Sequence, residues 1–222
     1  MKILLVNDDG FDEPGLRVLE DTLSHPPLTV RTHGPMRFSV EGTPVDCVKL
    51  ALCELAGDTR PDLVISGINP GANVANNTWY SGTVAAATEA AFWKIPAIAI
   101  SQEYSSSPDF EQSSKVIRKV IDQKLHTMLE PGTLLNINVP AGECRGYRMT
   151  VTGSFASEIP FMRSEDGESY SYGHYEMQSV REQSGTDVHA LLSGHVSLTL
   201  LTTFRSASSY ANDLRQWCLR QS

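Results

Sequence analysis

The sequence predicts an α/β protein with a Rossmann-like, doubly wound, mostly parallel sheet, followed by a β-rich C-terminal arm and a terminal helix. Unbroken apolar runs at residues 3–6, 63–65 and 95–100 are typical of strands buried on both faces of a parallel sheet. Stretches with helical apolar spacing separate these runs, and such alternation is the pattern of doubly wound folds. We therefore expect residues 1–146 to form a Rossmann-like body. Residues 147–222 would add the arm, a closing strand and the terminal helix within the same structural unit.

The remaining elements of the body follow from apolar spacing and turn residues. Further strands are expected at residues 28–31 and 134–139, and helices at residues 14–23, 44–55, 84–93 and 110–128. Pro14 and Pro44 suit first helical turns, where a proline removes no needed hydrogen bond. Gly34 and Pro35 end the weakly signalled strand at 28–31.

From residue 147 the alternation of strand and helix stops. Residues 148–152 alternate polar and apolar side chains, as a half-buried strand does. Residues 154–175 are rich in Ser, Gly, Glu and Tyr and predict a loop or an extended hairpin. A short helix within 185–194, a strand at 195–202 and an amphipathic helix at 209–219 complete the prediction. By analogy with other α/β proteins, we expect this β-rich region to serve oligomerisation.

Composition and charge argue against several classes of protein. The formal net charge is −8 and there is no basic run, which disfavours nucleic-acid polymers and anionic membranes as partners. None of the four cysteines forms a CxxC pair, so we expect reduced thiols and a cytoplasmic location. No signal-peptide pattern precedes the first predicted strand, and no apolar run approaches the about 20 residues of a membrane span.

Polar side chains follow two of the predicted buried strands. Asp8 and Asp9 come directly after the first strand, and Asn69 follows the strand at 63–65. Adjacent carboxylates at a buried strand end repel each other and lose hydration, and a hard divalent cation relieves both effects. In open α/β sheets such loops meet beyond the carboxyl ends of the strands. The sequence therefore predicts one Mg²⁺ or Mn²⁺ ion on Asp8, Asp9 and Asn69, with water in the open positions.

The helix at 84–93 is preceded by Ser81, Gly82 and Thr83. Such a helix start presents free N–H groups and hydroxyls that suit an anion, but the same residues also make an ordinary N-cap. Combined with a metal site, a phosphate-binding helix start favours hydrolysis of a phosphate ester. The absence of a Walker A loop, a GxGxxG fingerprint and a GxSxG elbow argues against the corresponding nucleotide-binding and hydrolase types.

Several longer motifs resemble those of the SurE family (survival protein E) over nearly the whole chain. They are Asn7-Asp8-Asp9-Gly10, Gly42-Thr-Pro-Val-Asp-Cys-Val48, Ser66-Gly-Ile-Asn69-Pro-Gly-Ala-Asn73, Tyr80-Ser-Gly-Thr-Val84, Leu134-Leu-Asn-Ile-Asn-Val-Pro140, and Gly185-Thr-Asp187 with Gly194-His-Val-Ser197. The resemblance implies a divalent-metal-dependent phosphatase of the 5′-nucleotidase type, which hydrolyses nucleoside 5′- and 3′-monophosphates to nucleoside and phosphate. It also implies a Rossmann-like body with a swapped arm, in homodimers or homotetramers.

The resemblance also implies roles for single residues. Asp8, Asp9 and Asn69 resemble three of the family's four metal ligands, and Asp8 and Asp9 would be catalytic. The residues near the phosphate would be Asn73, Ser81, Gly82 and Thr83. The family's fourth ligand is a serine on a loop after the second strand. This sequence departs from the pattern there: Pro35 is followed almost directly by Phe38, and Ser39 is the substitute ligand that remains.

Two other functions fit part of the same pattern. A receiver-like phospho-acceptor module also places paired acids after its first strand to hold Mg²⁺. It is much shorter, however, and needs a third aspartate after a later strand, where Ser66 and Gly67 stand. A non-catalytic metal or nucleotide binder is the other alternative, because the serine loop is missing. In the favoured mechanism a water molecule attacks phosphorus in line, and Asp8 as a covalent nucleophile is the alternative.

Overall fold

The computed structural model describes residues 28–57, 60–105, 110–154, 161–164, 168–172 and 183–203. The predicted strand at 3–6, the predicted helices at 14–23 and 209–219, and both Asp8 and Asp9 lie outside the described residues. The chain divides into two compact units, Met1–Gly42 and Thr43–Ser222. No helix in the described part of the chain is long and apolar enough to cross a membrane.

The described part of the first unit is a β-hairpin. Strand β1, Thr29–Gly34, pairs antiparallel with strand β2, Arg37–Glu41, and Pro35 and Met36 form the turn between them. The strand predicted at 28–31 is confirmed and extends to Gly34, whereas β2 was not predicted. Exposed and half-buried residues alternate along the five residues of β2, a period-two signal that is short and follows a Gly-Pro break.

The second unit combines helices with most of the strands. In chain order it contains α1 (Pro44–Leu50), β3 (Val64–Pro70), α2 (Asn77–Tyr80), α3 (Gly82–Phe92), β4 (Ala97–Gln102), α4 (Glu111–Asp122), β5 (Thr133–Val139), β6 (Tyr147–Thr150), β7 (Phe161–Arg163), β8 (Tyr170–Tyr172), α5 (Asp187–Leu192) and β9 (Val196–Thr202). A π-helical turn, Ala51–Leu55, continues α1, and a 3₁₀ turn, Leu125–Met128, follows α4.

Helix α1 begins where Thr43 and Pro44 predict a helix start. The Asp46 amide donates to Thr43 Oγ1 at 3.3 Å, and the Thr43 amide donates to the Asp46 carboxylate at 2.8 Å. This reciprocal capping box satisfies backbone amides that an uncapped helix leaves open, and Pro44 at the first position has none to satisfy. The helix predicted at 44–55 is therefore confirmed, with its last turn widened to π geometry.

Five strands of the second unit form one sheet in the order β3–β4–β5–β9–β6. Strands β3, β4 and β5 are parallel, β9 runs antiparallel to β5, and β6 runs parallel to β9. Every residue of β4 is buried, which is expected for a strand that is covered on both faces. The predicted α/β architecture with a mostly parallel sheet is confirmed.

Helices cover both faces of this sheet. On one face, small side chains of β4 and α3 belong to a cluster of Val84, Ala87, Ala90, Ala91, Ala97, Ala99 and Leu134. On the other face, branched side chains of β4, β5 and α4 form a cluster that includes Ile98, Ile100, Val116, Val120, Leu135, Ile137 and Val139. Successive residues of β4 thus alternate between the two helical layers, as the two-residue period of a strand requires.

The helix predicted at 110–128 is shorter in the structure. Lys124, two residues after the end of α4, adopts a left-handed conformation with φ of 57°, and this breaks the α-helical path before the 3₁₀ turn. In the arm, β7 and β8 form an antiparallel hairpin. The prediction of a loop or extended hairpin at 154–175 is therefore confirmed for the described residues of that stretch.

Candidate metal and phosphate site

The carboxyl end of β3 carries the first candidate residue, Asn69. Within β3, Gly67 has φ of +128°, and a Cβ atom there would lie 2.2 Å from the carbonyl oxygen of Ile100. Only glycine allows so close a backbone approach. The pairing with β4 shifts after Ser66, and Asn69 then lies beside Ser101. The strand therefore delivers Asn69 to the carboxyl edge of the sheet, where ligand sites of open α/β folds occur.

The Asn69 side chain is held by one end only. Its Nδ2 donates a hydrogen bond to the carbonyl oxygen of Gly71 at 2.7 Å, and the Gly71 amide donates to the carbonyl oxygen of Gln102 at 2.8 Å. Among the described residues, no hydrogen bond uses Asn69 Oδ1. An oriented, half-buried amide oxygen that no described residue engages is the kind of ligand that hard divalent cations take.

Asn73 is held by hydrogen bonds of both its side chain and its backbone. It is buried, its Nδ2 donates to Ser101 Oγ at 2.7 Å, and its backbone amide donates to Asn138 Oδ1 at 2.7 Å. Its carbonyl oxygen accepts three hydrogen bonds, from Asn136 Nδ2 at 2.9 Å, Asn138 Nδ2 at 3.2 Å and Thr78 Oγ1 at 3.2 Å. These contacts fix the backbone that connects Asn69 to the start of α3.

Sequence reasoning did not assign a role to Asn136 and Asn138. Both lie in β5 and are fully buried, and the pairing of β5 with β4 places Asn138 beside Ser101. The signal in the sequence is the pattern Leu134-Leu-Asn-Ile-Asn-Val139, because two asparagines at alternate positions of a buried strand must find polar partners. Those partners are supplied by the segment after β3, which no local pattern can indicate.

Ser81, Gly82 and Thr83 form the start of α3. Ser81 is the N-cap: its Oγ accepts a hydrogen bond from the Val84 amide at 3.1 Å, and its carbonyl oxygen accepts one from the Ala85 amide at 2.9 Å. The amides of Gly82 and Thr83 make no hydrogen bond with any other described residue. The ordinary N-cap is therefore present and still leaves two first-turn amides, which carry the positive end of the helix dipole.

The other predicted ligands lie elsewhere in the chain. Ser39 belongs to the hairpin of the first unit, where its Oγ is 2.8 Å from His33 Nε2. Asp8 and Asp9 are outside the described residues. Within the part of the chain that the structure describes, no three His, Cys, Asp or Glu side chains are grouped so as to hold a metal.

A cavity of about 310 Å³ opens beyond the ends of β4 and β5. Its wall includes Glu103, Pro140, Arg145, Leu191 and Ser193. Glu103 and Pro140 directly follow their strands, so the cavity lies at the same carboxyl edge of the sheet as Asn69. Its size falls in the about 300–1,000 Å³ that is usual for small-molecule sites.

Comparison with known protein families tests the predicted membership. The family model described as survival protein SurE matches residues 22–158. The chain belongs to the SurE family. The matched residues include Ser39 and the whole stretch from Asn69 to Thr83, but they begin after Asp8 and Asp9.

Two relatives extend the similarity to most of the chain. The 5′-nucleotidase SurE of Alkalilimnicola ehrlichii is 36% identical over 227 residues, which cover 90% of this chain and 88% of that protein. The crystal structure of SurE protein from Aquifex aeolicus is 27% identical with a TM-score of 0.75, covering 95% of this chain and 96% of the other. The alignment with the A. ehrlichii protein spans 227 residues but includes only 90% of this 222-residue chain. That relative therefore has residues without a counterpart here.

Proposed function

We propose that this chain is a divalent-metal-dependent phosphatase that hydrolyses nucleoside 5′- and 3′-monophosphates to nucleoside and phosphate. Membership of the SurE family and the name of the A. ehrlichii relative, a 5′-nucleotidase, support this class of reaction. The observation that carries the proposal is the stretch from Asn69 to Thr83. It begins with an amide oxygen that no described residue engages, continues through the anchored Asn73, and ends at a helix start where two amides have no acceptor among the described residues.

The residues present fit a hard divalent cation. Asn69 Oδ1 is a neutral oxygen donor, and we propose Asp8 and Asp9 as its charged partners and Mg²⁺ or Mn²⁺ as the ion. Ser39 is the proposed fourth ligand, and its hydroxyl would have to exchange its contact with His33. When bound, the cation would polarise a phosphoryl oxygen and lower the pKa of a water molecule.

The chain's own residues would then perform three tasks. The amides of Gly82 and Thr83, with the hydroxyls of Ser81 and Thr83, would hold the phosphate at the positive end of α3. Asp8 or Asp9 would accept the proton of the water that attacks phosphorus in line, and this proton would pass to the nucleoside oxygen as its bond to phosphorus breaks. Asn73 would keep the connecting backbone in place through its contacts with Ser101 and Asn138.

The nucleoside part of the substrate would occupy the cavity beyond β4 and β5. Asn69, Ser101 and Asn138 lie in one row across three neighbouring strands, and strands are about 4.8 Å apart. Glu103 and Arg145 on the cavity wall offer an acceptor for ribose hydroxyls and a donor for a base. Arg145→Ala should raise KM for AMP more than it lowers kcat, since Arg145 would contact only the non-reacting part of the substrate.

Hydrolysis of AMP with Mn²⁺ or Mg²⁺ tests the proposed function. We expect metal-stimulated release of phosphate that EDTA abolishes, and a loss of at least about 100-fold in Asp9→Asn. Asp62→Asn is the matched control, because exposed Asp62 precedes β3 at the opposite edge of the sheet and should retain full activity.

Three results would contradict different parts of this proposal. Full metal-stimulated activity in Asp9→Asn would remove Asp9 from the mechanism. Mn²⁺ and AMP binding without turnover, even in a single-turnover experiment, would identify a non-catalytic binder. Stable aspartyl phosphorylation by acetyl phosphate would instead support the receiver-like alternative.

The proposal extends to assembly and location. We propose a homodimer or homotetramer in which residues 147–222 take part, because Phe161, Met162 and Tyr170 in the β7–β8 hairpin expose most of their surface. Sedimentation equilibrium measures the molar mass of the assembly, for the chain and for the triple variant Phe161→Ser, Met162→Ser, Tyr170→Ser. A cytoplasmic location is proposed as well, since Cys47, Cys53 and Cys144 are free thiols.

A further inference from the structure

Asp187, the first residue of α5, is a fully buried carboxylate that no cation among the described residues accompanies. Its Oδ2 accepts a hydrogen bond from the Ala75 amide at 3.0 Å. Its Oδ1 accepts hydrogen bonds from the Gly153 amide at 2.8 Å and from the Val188 amide at 2.9 Å. Burying a carboxylate costs free energy unless hydrogen bonds satisfy its oxygens, and here three backbone amides do so. We therefore expect Asp187 to have a role other than starting α5.

The three amides belong to three different parts of the second unit. Ala75 lies two residues after Asn73, Val188 lies in α5, and Gly153 lies just after β6, at the root of the arm. The same junction is closed by backbone hydrogen bonds from the Val151 amide to the Gly185 carbonyl oxygen at 3.1 Å and from the Asp187 amide to the Val151 carbonyl oxygen at 3.0 Å. One carboxylate therefore joins the stretch after β3 to the arm root.

Contacts with α5 and with β5 reinforce this junction. Val74 and Ala75 are buried against Val188 and Leu191 of α5. From the other side, the asparagines of β5 hold the backbone of Asn73. The stretch from Ala72 to Ala75 is thus clamped between the sheet and α5, and Asp187 is the one charged group in this clamp among the described residues. A Cβ atom at Gly153 would lie 3.1 Å from Asp187 Oδ1, so even a methyl group at the arm root would press on the carboxylate.

We propose that Asp187 is a positioning residue: it fixes the backbone at Ala75, and through it Asn73 and Asn69, by joining this segment to the arm root at Gly153. Its kinetic consequence rests on the proposed phosphatase function. In Asp187→Asn the side chain keeps its shape, but an NH₂ group must face at least one of the backbone N–H donors. The segment would then lose a hydrogen bond at the point where it is clamped.

Amide hydrogen exchange and kinetics of Asp187→Asn test this inference. The matched control is Val120→Ala, which removes buried apolar atoms from α4 on the other face of the sheet. At a temperature where both variants are folded, we expect Asp187→Asn to increase exchange at both Ala75 and Gly153. Its kcat for AMP should fall about 10-fold or more and its Mn²⁺ affinity should weaken, with a smaller change in KM. Val120→Ala should show none of these changes, even if it lowers Tm as much.

The outcomes separate this inference from the proposed function. The positioning role would be overturned if Asp187→Asn and Val120→Ala had the same kcat, the same Mn²⁺ affinity and the same exchange rate at the Ala75 amide. A wild-type chain without hydrolysis would overturn the proposed function, and exchange at Ala75 and Gly153 would then decide the inference by itself. If the wild-type chain does not hydrolyse AMP, equal exchange at Ala75 in wild type and Asp187→Asn would still overturn the inference, since the carboxylate would not be holding the segment.

Discussion

Strand β4 and the β1–β2 hairpin are held in place by different forces. Every residue of β4 is buried, whereas no residue of β1 or β2 is. Outside its backbone ladder, the hairpin has an exposed ion pair between Arg31 and Glu41 at 2.6 Å and a contact between His33 and Ser39 at 2.8 Å. Buried apolar groups contribute about 1.5–3 kcal/mol per side chain, and exposed ion pairs about 0–1 kcal/mol.

This difference also divides the candidate site. Asn73 is attached to β4 and β5 by short hydrogen bonds with Ser101 and Asn138, and the Asn69 side chain donates one to the carbonyl oxygen of Gly71. Ser39, the proposed substitute ligand, lies in the exposed hairpin. A ligand on a rigid support keeps its geometry without the metal, whereas a ligand on a weakly held hairpin must be ordered when the metal binds. The substitute ligand would therefore contribute less to metal affinity than the residues on the sheet.

Gly67→Ala should produce the largest effect on the sheet. A Cβ atom would lie 2.2 Å from the backbone oxygen of Ile100, which cannot move without disturbing β4, and φ of +128° is unfavourable for alanine. We expect a loss of about 4 kcal/mol or more in the free energy of unfolding, measured by urea denaturation. Gly142→Ala is the control, because a Cβ atom there meets nothing within 4 Å. Equal stability of the two variants would contradict the close approach of β3 to β4.

Ile98→Ala compared with Val30→Ala measures the contrast between the two regions directly. Ile98 is fully buried in β4, and truncation should cost about 3–4 kcal/mol, because it leaves a cavity between the sheet and α4. Val30 in β1 is 38% exposed, and its truncation should cost no more than about 0.5 kcal/mol. Urea denaturation of both variants gives the two values. A similar loss of unfolding free energy in both variants would mean that Val30 is as well packed as Ile98.

The sequence predicted the buried elements far better than the exposed or strained ones. Strand β4 was predicted from an unbroken apolar run, because burial on both faces leaves little choice of residue, and β5 was predicted from its apolar spacing. Strand β2 was missed because its pairing depends on a tight turn that follows a strand break. The end of α4 was misplaced because Lys124 adopts a left-handed conformation that nothing in its residue type predicts.

The site shows the same limit. Asn69 was predicted because a polar residue after an apolar run is visible in the sequence and the family motif marks it, although no residue of β3 is buried among the described residues. The contacts of Asn73 with β5 were not predicted, since they join positions 63 and 65 residues apart. In the sequence, Asp187 stands out only as part of a family motif. Its three backbone partners come from separate segments, and a sequence pattern reports spacing within one segment only.

Asn138→Ala should have an intermediate effect that links the sheet to the site. The variant would leave the buried Asn73 amide without its acceptor at 2.7 Å, and an unsatisfied buried polar group costs about 1–3 kcal/mol. Because the stretch from Asn69 to Thr83 would be loosened as well, we expect kcat for AMP to fall in a fully folded sample. Thermal unfolding and steady-state kinetics measure the two effects. Lower stability with unchanged kcat would show that Asn138 supports the fold alone.

The pH dependence of stability tests the electrostatics of Asp187. Burial raises the pKa of its carboxyl above the ordinary value of 3.8, although hydrogen bonds from the Gly153, Ala75 and Val188 amides act to lower it. The native state then holds the proton more tightly than the unfolded chain, so this group's contribution to stability is greatest below pH 3.8 and is lost as pH rises through the native pKa. The stability of wild type relative to Asp187→Asn should fall over that range in urea denaturation. A rise instead would show that the amide hydrogen bonds outweigh burial.

Arg31→Ala should have the smallest effect and gives the comparison its lower bound. The Arg31 and Glu41 side chains are 69% and 59% exposed, so water competes for both charges and the ion pair restricts two mobile side chains. We expect a loss of no more than about 0.5 kcal/mol in urea denaturation, shrinking further in high salt, because surface ion pairs are screened. A salt-independent loss above about 1 kcal/mol would mean that the pair is shielded from water when the hairpin is in place. In that event Ser39, which pairs with Arg31 across the hairpin, would rest on firmer support than its exposure indicates.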